Sequence, residues 1–588
     1  MPPSRQDEPV RHAERRPSPI AGNGLFATRA VAAGAPVAVL PRPLVAVLDG
    51  GRLEDTCANC FGWTADEDFG PRAGGGGGEV GEVKACAGCR VYRYCGKKCQ
   101  SEAWKRSHKY ECAAIKLDPR RGTPLPNLAR AGIQLLLLRL NGRIADAQWS
   151  AIMALPSYMD LVLKPGDHLA PLHDRLEPLM ALDPSIRDTF DQVKLVGASI
   201  LRFAGGVTPA AAALAPALGV ELAGRLFLNS LTLTSPPLDP LGLVFDPFLA
   251  AANHSCAPTA FVALDGPAAH LRAARPLPPG AELTLAYADP SEPRHRRRAL
   301  LLRRYHFLCA CSRCAAAAAA GPADPADAWR VPPAAMPPAA AADADALLAA
   351  RRPAAAAAAE WAVFGPDLRA AVAGPDADDR ALRRALALET EAYARVDAAR
   401  GAARSDDADD DDDALAVLRG AVALCERAGL WARTRQPVPA AEQEMVTREI
   451  GRGAFGAALV RAVRLFWRVE PVLHAGCEFH PVRVVGGWRV VKLAVYLAGE
   501  EGGGDEVARF EGKGVDFGVL AAGVLEWVVR MCGRSHGEGS RFAVRVGEKA
   551  VEMCGGGVGV EEARVMLGKV PGVEGLEGML DRIADIEV

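Results

Sequence analysis

The spacing of cysteines constrains this chain of 588 residues more than any other feature does. Eleven of the 15 cysteines lie in the first 314 residues, most of them in tight clusters. Between residues 57 and 112 stand two CxxC pairs, whose tight turns aim two thiolates at one ion, and then two pairs spaced by four residues. Eight such soft ligands suffice for two tetrahedral zinc sites. The ligands are Cys57, Cys60, Cys86, Cys89, Cys95, Cys99, His108 and Cys112.

A redox-active CxxC pair, or a set of free thiols, is the competing interpretation of this segment. One active dithiol needs neither six further ligands nor a histidine at this spacing, so we favour metal binding. Ligands four residues apart, such as Cys95 and Cys99, are expected on one face of a helix. The cysteines beyond residue 400 stand singly in apolar surroundings and are predicted to be buried thiols. They are Cys425, Cys477, Cys532 and Cys554.

The segment from Lys84 to Cys112 carries eight basic residues and two acidic ones, a net charge of +6. Such a patch favours contact with nucleic acid or with an acidic peptide. Equally, these cations offset the negative charge of metal-bound thiolates. The residues alone do not decide between the two interpretations. The whole chain has a net charge of −2, which argues against binding to nucleic acid or membrane by bulk charge.

The first 19 residues contain charges of both signs and no apolar core. We therefore predict a short disordered lead-in and no secretion signal. No stretch is long and apolar enough to span a bilayer. The expectation is a soluble cytoplasmic and/or nuclear protein without a membrane partner.

Apolar patterning alternates along the chain. Short apolar runs broken by glycine and proline predict strands from about residue 20 to 49, and residues 124 to about 195 have helical periodicity. Strands are predicted again at LFLNSLTLTS, LGLVFDPFL, TAFVAL, AHLRAARPL and AELTLAYA. Alanine-rich sequence after residue 314 predicts a flexible or partly helical linker. The aspartate run 409–413 predicts a solvated spacer. The remaining segments are predicted to be amphipathic helices. The predicted fold class is therefore α+β and multidomain.

A second ordered set of motifs accompanies the cysteines. It runs from GNGLFA at residue 22, through NHSC at residue 253 and AELTLAYAD at residue 281, to YHFLCACSRC at residue 305. Together with the cysteine-histidine cluster, this order resembles the SET-and-MYND (SMYD-like) subfamily of protein-lysine methyltransferases. In that subfamily a SET domain is split by a MYND zinc finger and a helical insert. The resemblance covers residues 15 to 314 by specific motifs and the C-terminal helices only in general character.

The resemblance implies a β-rich SET fold split by the MYND finger and the helical insert, followed by a post-SET zinc cluster and an all-α C-terminal domain. The implied segments are 1–15 for a disordered lead, 16–56 for the first SET part, 57–112 for the MYND finger, 113–222 for the helical insert, 223–292 for the SET core, 293–314 for the post-SET cluster, 315–360 for the linker and 361–588 for the C-terminal domain, with an acidic break near 405–414.

The zinc ligands of the MYND finger interleave by the same resemblance. It assigns Cys57, Cys60, Cys95 and Cys99 to one zinc, and Cys86, Cys89, His108 and Cys112 to the other. Four further thiolates, those of Cys256, Cys309, Cys311 and Cys314, make a complete third zinc site. Closing that site is expected to pin the post-SET segment against the NHSC loop. The long gap between the two CxxC pairs departs from the family pattern, and a glycine-rich surface loop would absorb it.

S-adenosylmethionine is the cofactor that the resemblance implies, beside three zinc ions. The residues implied to contact it are Gly22, Asn23, Gly24, Asn229, Asn253, His254, Tyr287, Tyr305 and Phe307. The glycine turn is expected to let backbone approach the cofactor where a Cβ would clash, and the Phe307 ring to stack on adenine. Two departures are Thr259, where the family usually has asparagine, and Ala252, which replaces a bulkier apolar residue.

Methylation of lysine in histone and/or non-histone proteins is the activity that the resemblance implies. Tyr287 takes the catalytic role and Tyr305 a supporting one, because in-line methyl transfer needs an aligned, neutral amine shielded from water. The competing hypothesis is a catalytically weak adaptor or transcriptional regulator that recruits partners through the MYND surface. The expected partners are protein substrates, histones among the candidates, and a peptide or nucleic acid at the MYND surface. The chain is expected to be a monomer.

Overall fold

The structure is a computed structural model, and its backbone folds into two compact units. It describes residues 11–64, 81–118, 124–159, 184–316, 325–327, 336–350, 379–401, 408–429, 431–499 and 505–588. The first unit comprises residues 1–285, 300–308 and 536–545, and the second comprises 286–299, 309–535 and 546–588. Mixed helix and sheet in more than one unit agrees with the predicted α+β multidomain class.

The first unit contains the described strands. They are β1 (Ala13–Pro17), β2 (Asn23–Ala27), β3 (Pro36–Leu40), β4 (Val45–Leu48), β5 (Lys84–Ala85), β6 (Arg93–Tyr94), β7 (Leu231–Thr234), β8 (Pro240–Phe245), β9 (Asn253–His254), β10 (Ala260–Asp265), β11 (Ala268–Ala273) and β12 (Glu282–Leu285). Their sheets have the orders β1-β2-β12-β9, β10-β11-β3, β4-β8-β7 and β5-β6. Neighbouring strands are antiparallel except β12 and β9, which are parallel. The predicted strands at LGLVFDPFL, TAFVAL, AHLRAARPL and AELTLAYA are confirmed as β8, β10, β11 and β12.

Strand β1 corrects the prediction of a disordered lead-in that reaches residue 19. Ala13 is buried, and β1 pairs with β2 along its whole length, from Ala13 opposite Ala27 to Pro17 opposite Asn23. The charged residues between Ala13 and Pro17 gave no apolar pattern from which a strand could be predicted. Charged side chains are common on edge strands such as β1, which pairs with a neighbour on one side only. The part of the predicted lead-in before residue 11 lies outside the described residues.

Helices of the first unit begin within the cysteine-rich segment and continue after it. They are α1 (Lys97–Ala103), α2 (Lys109–Lys116), α3 (Asn127–Leu140), α4 (Asp146–Met153), α5 (Pro184–Gly205), α6 (Pro209–Ala212) and α7 (Pro216–Asn229). The predicted helical segment is thereby confirmed in α3, α4 and α5. Helix α3 is buried from Ala129 to Leu138, and it shares one core with residues of α5, α7, β4 and β8.

The strand predicted over LFLNSLTLTS is wrong in its first half. Those residues end helix α7, and only Leu231–Thr234 form a strand. Leu222 and Leu226, one helical turn apart, are fully buried, so packing of one helical face outweighs the strand propensity of the local sequence.

The second unit is helical in its described part. Its helices are α8 (Arg294–Tyr305), which enters the first unit at residue 300, α9 (Ser312–Ala316), α10 (Pro338–Ala350), α11 (Asp379–Gly401), α12 (Ala408–Ala428), α13 (Val438–Gly451), α14 (Phe455–Arg464), α15 (Glu470–Leu473), α16 (Pro481–Ala498), α17 (Asp505–Ala508), α18 (Phe517–Ser535), α19 (Arg541–Met553, whose first turn belongs to the first unit), α20 (Val560–Leu567) and α21 (Leu576–Ala584). The amphipathic segments predicted near the C-terminus are confirmed as α14, α16, α18 and α21.

Helix α10 lies inside the predicted alanine-rich linker. Its Ala340 and Ala344 are buried in one cluster with Leu388 and Trp431, so this stretch is a packed helix. An ion pair between Asp345 and Arg384 adds a polar contact at its edge. The rest of the predicted linker, apart from 325–327 and the few residues flanking these helices, lies outside the described residues.

The aspartate run 409–413 was predicted to be a solvated spacer, and this prediction is wrong. Helix α12 begins at Ala408 and includes it. Asp411 forms an ion pair with the buried Arg448, and Asp412 accepts a hydrogen bond from Arg452 at 3.0 Å. Acidic side chains also suit the first turn of a helix, where the backbone N–H groups give a positive end.

A buried polar network holds the start of α8 within the second unit. The Nε2 atom of His295 lies 2.7 Å from Oε2 of Glu389, and Nη2 of Arg435 donates to Oε1 of the same carboxylate at 2.9 Å. Nearby, the backbone N–H of Arg294 donates to Asp327 at 2.7 Å. Glu389 is only 1% exposed, so both of its oxygens depend on these partners.

Within the described residues, no helix combines the length and apolarity that a membrane crossing requires.

Candidate metal centres and cofactor site

Three groups of four cysteine or histidine side chains bring their ligand atoms within 4.8 Å of one another. The groups are Cys57, Cys60, Cys95 and Cys99; Cys86, Cys89, His108 and Cys112; and Cys256, Cys309, Cys311 and Cys314. Zinc–sulfur bonds of about 2.3 Å in a tetrahedron separate two sulfur atoms by about 3.8 Å. The Sγ atoms of Cys60 and Cys95 are 3.7 Å apart, and those of Cys86 and Cys112 are 3.9 Å apart. The three clusters therefore fit zinc.

Two loops of the same construction carry the CxxC pairs. In each, the residue after the second cysteine donates its backbone N–H to the carbonyl of the first, Phe61 to Cys57 and Arg90 to Cys86, both at 2.9 Å. These two residues have left-handed backbone angles, φ 58° for Phe61 and φ 60° for Arg90. Non-glycine residues seldom adopt this conformation, so both turns hold a strained residue in order to aim two thiols at one point.

Each group is completed by ligands from the helical part of the segment, but Cys95 does not lie on a helix as was predicted. Helix α1 begins at Lys97, so Cys95 lies before it and only Cys99 is helical. The prediction of both on one helical face is therefore wrong, because the extended Gly96 separates Cys95 from the helix. A π-helical turn from Trp104 to His108 joins α1 to α2, and such widened turns often occur at functional positions.

The thiols of these groups affect one another's protonation. Burial raises the pKa of Cys112 to about 12, and the neighbouring Cys89 and Cys86 add to that rise. Burial also opposes ionisation of Cys86, but backbone N–H groups and His108 outweigh it and lower the pKa of Cys86 to about 7. Thiolates at this spacing repel one another, and a divalent cation removes that repulsion.

The basic residues of this segment are partly structural. Arg106 is half-buried and donates to Oδ1 of Asn59, which lies between Cys57 and Cys60 in the first loop. The exposed basic side chains are Lys84, Arg90, Lys97, Lys98, Lys105 and Lys109. At least one of the eight cations therefore supports the metal loop, and six face solvent.

The glycine turn and the NHSC loop meet across the sheet β1-β2-β12-β9. The side-chain amide of Asn253 donates to the carbonyls of Ala21 at 3.2 Å and Asn23 at 3.3 Å, on either side of Gly22. It also donates to Oε1 of Glu282 at 2.9 Å, and Ser18 donates to the same oxygen at 2.7 Å. One amide therefore fixes the turn to the central strand β12.

Gly22 and Gly24 are needed for different reasons. Gly22 has φ +49°, and a Cβ there would meet nothing within 4 Å. A Cβ on Gly24 would lie 2.2 Å from Oε1 of Glu282. By the family resemblance, both glycines were expected to let a cofactor approach the backbone. At Gly24 a Cβ would clash with Glu282 of the protein itself. Of these two glycines, Gly22 is the one whose backbone borders open space.

We expect Gly24→Ala to lower the free energy of unfolding by about 1–3 kcal/mol, the usual range for overpacking. The added methyl must displace Glu282 from Ser18 and Asn253. The double variant with Glu282→Ala should recover part of the loss, as measured by thermal unfolding in a double-mutant cycle. Gly22→Ala is the matched control, since its strain is conformational and Glu282→Ala should not relieve it. Equal rescue of both glycine variants would contradict this explanation.

The rings of His254, Phe307 and Tyr305 lie next to one another, from the NHSC loop to the end of α8. His254 is buried, its Nε2 lies 3.3 Å from Sγ of Cys256, and its ring centroid is 5.9 Å from that of Phe307. The Phe307 and Tyr305 centroids are 6.5 Å apart. Burial raises the pKa of Tyr305, which keeps its hydroxyl protonated near neutral pH. Between these two residues His306 has φ +53° and turns the chain at the helix end.

Asn229 and Tyr287 have separate settings. The Asn229 amide, at the end of α7, donates to the carbonyls of Arg225 at 2.8 Å and Pro156 at 2.9 Å, so these bonds lie within α7 and to the helical insert. Tyr287 is half-buried and follows β12 along the chain by two residues. The structure thus groups the glycine turn with Asn253, and His254 with the aromatic residues, and holds Asn229 elsewhere.

The contacts of Glu282 and Thr259 were not predicted from the sequence. Thr259 donates its hydroxyl to the carbonyl of Glu282 at 3.0 Å and accepts from the N–H of Thr284 at 2.8 Å. Thr259 therefore bonds to the backbone of β12, although asparagine is usual at this position. The one charged residue in strand β12, beside the buried Leu283 and Leu285, was the signal that could have pointed to Glu282.

Comparison with known proteins agrees with this geometry. The family model of the MYND finger matches residues 57–112. The "SET domain and MYND-type zinc finger protein 6" of Schizosaccharomyces pombe is 26% identical over 295 residues, 50% of this chain and 50% of that protein. Human "Histone-lysine N-methyltransferase SMYD3" is 28% identical over 233 residues, 40% of this chain and 49% of that protein. "N-lysine methyltransferase SMYD2-A" of Xenopus laevis is 27% identical over 299 residues, 51% of this chain and 59% of that protein. The chain spans about half the length of the curated relatives it matches.

Proposed function

We propose that this chain, which is similar to SMYD methyltransferases over about half its length, transfers a methyl group from S-adenosylmethionine to lysine side chains of other proteins. The observation that carries this proposal is the Asn253 amide, which joins the glycine turn to strand β12. We propose that the polar loop, the glycine turn and the central strand, held together at this point, form one side of the cofactor site.

Residues on both sides of that amide support the cofactor assignment. Gly22 borders open space and the residues on either side of it are exposed, so there is room for a ligand beside this turn. The half-buried Phe307 ring next to His254 offers an aromatic face of the kind that stacks on adenine. We assign Asn23, Gly24 and Asn229 to the same cofactor on the resemblance alone.

Twelve side chains are proposed as zinc ligands, four in each of the three clusters. The ligand spacing supports this, and so does the MYND match over residues 57–112. Closed four-ligand sites of this kind are structural, so we give the zinc ions no part in the chemical step.

The chain's own task in methyl transfer is alignment and exclusion of water. When bound, S-adenosylmethionine supplies a sulfonium methyl group that an amine nitrogen attacks in line. A free lysine has a pKa of ~10.4 and is mostly charged at neutral pH, so an apolar channel favours the neutral nucleophile. We assign the orienting hydroxyl to Tyr287 and a supporting hydroxyl to Tyr305, whose raised pKa keeps it a hydrogen-bond donor.

The recipients are proposed to be histone and/or other proteins met in the nucleus or cytoplasm by a monomeric chain. The exposed lysines and arginines of the MYND segment favour an acidic peptide or nucleic acid as a further contact.

We expect Tyr287→Phe to reduce methyl transfer roughly 100-fold or more while cofactor binding is kept, because only one oriented hydroxyl is lost. The full chain is incubated with radiolabelled cofactor and a mixed pool of histones and cytosolic proteins, and cofactor binding is measured by calorimetry. Tyr496→Phe, which removes a hydroxyl from the exposed side of α16, is the matched control and should leave transfer unchanged. If the unaltered chain neither labels protein nor binds cofactor, the adaptor hypothesis replaces this one.

A further inference from the structure

Glu111 is a buried carboxylate beside the second cysteine-histidine cluster. It is 2% exposed, and its Oε1 accepts from Nε2 of Gln134 at 3.0 Å and from the hydroxyl of Ser107 at 3.3 Å. Its Oε2 has no hydrogen-bond partner among the described residues. A buried carboxylate in this position carries a desolvation penalty that two neutral donors on one oxygen do not offset.

His108 presents its two ring nitrogens to different surroundings. The Nε2 atom lies 3.3 Å from Sγ of Cys86 and 3.6 Å from Sγ of Cys89, so this nitrogen faces the ligand cluster. The Nδ1 atom points the other way and lies 3.8 Å from Oε1 of Glu111. That distance is too long for a direct hydrogen bond and suits a bridging water. The ring is held edge-on against Tyr92, at 5.2 Å between centroids.

A cavity lies where these groups meet. Its volume is about 20 Å³, and its lining includes Tyr92, Ser107, His108, Glu111 and Gln134. One water needs at least about 10–15 Å³ and two to four polar partners. Nδ1 of His108 and Oε2 of Glu111 are buried there and lack partners among the described residues, so the cavity has both the room and the groups for one water.

We propose that Glu111 is the outer-shell carboxylate of the second zinc site, acting on His108 through one buried water. By holding the proton on Nδ1, it leaves the lone pair of Nε2 for the metal and fixes the ring. Gln134 belongs to helix α3 and holds Glu111 in turn, so the helical insert contributes to zinc retention in the MYND segment. This inference rests on the proposed zinc assignment and adds a positioning residue to it.

The test compares zinc release from the full chain and from Glu111→Gln in the presence of a chromogenic chelator. Outer-shell substitutions cost roughly 10–100-fold in metal affinity, so one of the three ions should leave faster by about that factor. Glu82→Gln removes an exposed carboxylate four residues before Cys86 and should release zinc like the unaltered chain. Unchanged release from a folded Glu111→Gln chain overturns the inference.

A crystal structure of the unaltered chain provides the second measurement, which holds even if Glu111→Gln fails to fold. A water within hydrogen-bond distance of both Nδ1 of His108 and Glu111 supports the inference, and a dry cavity overturns it. Absence of zinc from the unaltered chain would instead refute the zinc assignment itself, so the two failures are distinguishable.

Discussion

Cys112→Ser is expected to remove one zinc ion per chain and to unfold the stretch from Lys84 to Lys116. Apart from its metal ligands this stretch contains two two-residue strands and the helices α1 and α2, which the π-helical turn from Trp104 to His108 joins. In proteins such helices owe most of their stability to tertiary contacts. Structural zinc sites bind with apparent free energies on the order of 10 kcal/mol, more than a segment of this size gains from packing. Elemental analysis gives the zinc content, and hydrogen exchange followed by mass spectrometry locates the lost protection.

Cys554→Ser is the matched control for this experiment. Cys554 is half-buried at the end of α19, where its thiol lies 3.6 Å from the carbonyl of Ala563, and it stands in none of the three clusters. Its replacement should change neither zinc content nor exchange. If Cys112→Ser retains the zinc content of the unaltered chain, the ligand assignment of Cys112 is wrong.

Glu389→Gln is the second substitution expected to have a large effect. Removing one charge from a buried pair typically costs about 3–5 kcal/mol, because the partner charge is left uncompensated. Glutamine cannot satisfy the guanidinium of Arg435 and the imidazole of His295 as a carboxylate does. We expect the free energy of unfolding of the helical unit, measured in urea, to fall by that amount. Gln443→Glu, at a half-buried position of α13, is a control for a charge change outside this network.

Acid provides an independent test of the same carboxylate. Burial alone would raise the pKa of Glu389, but the charges of His295 and Arg435 outweigh it and lower the pKa from 4.5 to about 2. A group with a depressed folded pKa stabilises the protein above its unfolded pKa, and this is lost as pH falls toward the folded value. The unaltered chain should therefore lose about 3 kcal/mol from this group between pH 4.5 and 2. In Glu389→Gln that part of the acid dependence should be missing, and an unchanged acid dependence would contradict the assignment.

The sequence predicted the clusters better than their surroundings. Soft ligands have so few alternative uses that their spacing predicted two zinc sites, and the resemblance to the MYND finger implied the groups that the structure brings together. The strand prediction at LFLN was wrong because burial of Leu222 and Leu226 in α7, a tertiary effect, decides the local structure.

Polar contacts between distant residues were the least predictable feature. Glu282 meets Ser18 across 264 residues of chain, and Asp411 meets Arg448 from a run of aspartates that has no apolar pattern of its own. Such pairs depend on where helices and strands end, which hydrophobic periodicity does not fix. The same holds for Asn229, whose side-chain amide bonds to Arg225 within α7 and to Pro156 in the helical insert.

The interleaving of the two ligand groups affects how the cysteine-histidine segment folds around its metal ions. Because the ligands interleave, closing the first group, from Cys57 to Cys99, also draws the loop of Cys86 and Cys89 into a confined volume. Part of the chain entropy that the second group must lose is then already lost. We therefore expect each filled site to lower the entropic cost of filling its neighbour, so that zinc added to the metal-free chain fills the two sites together.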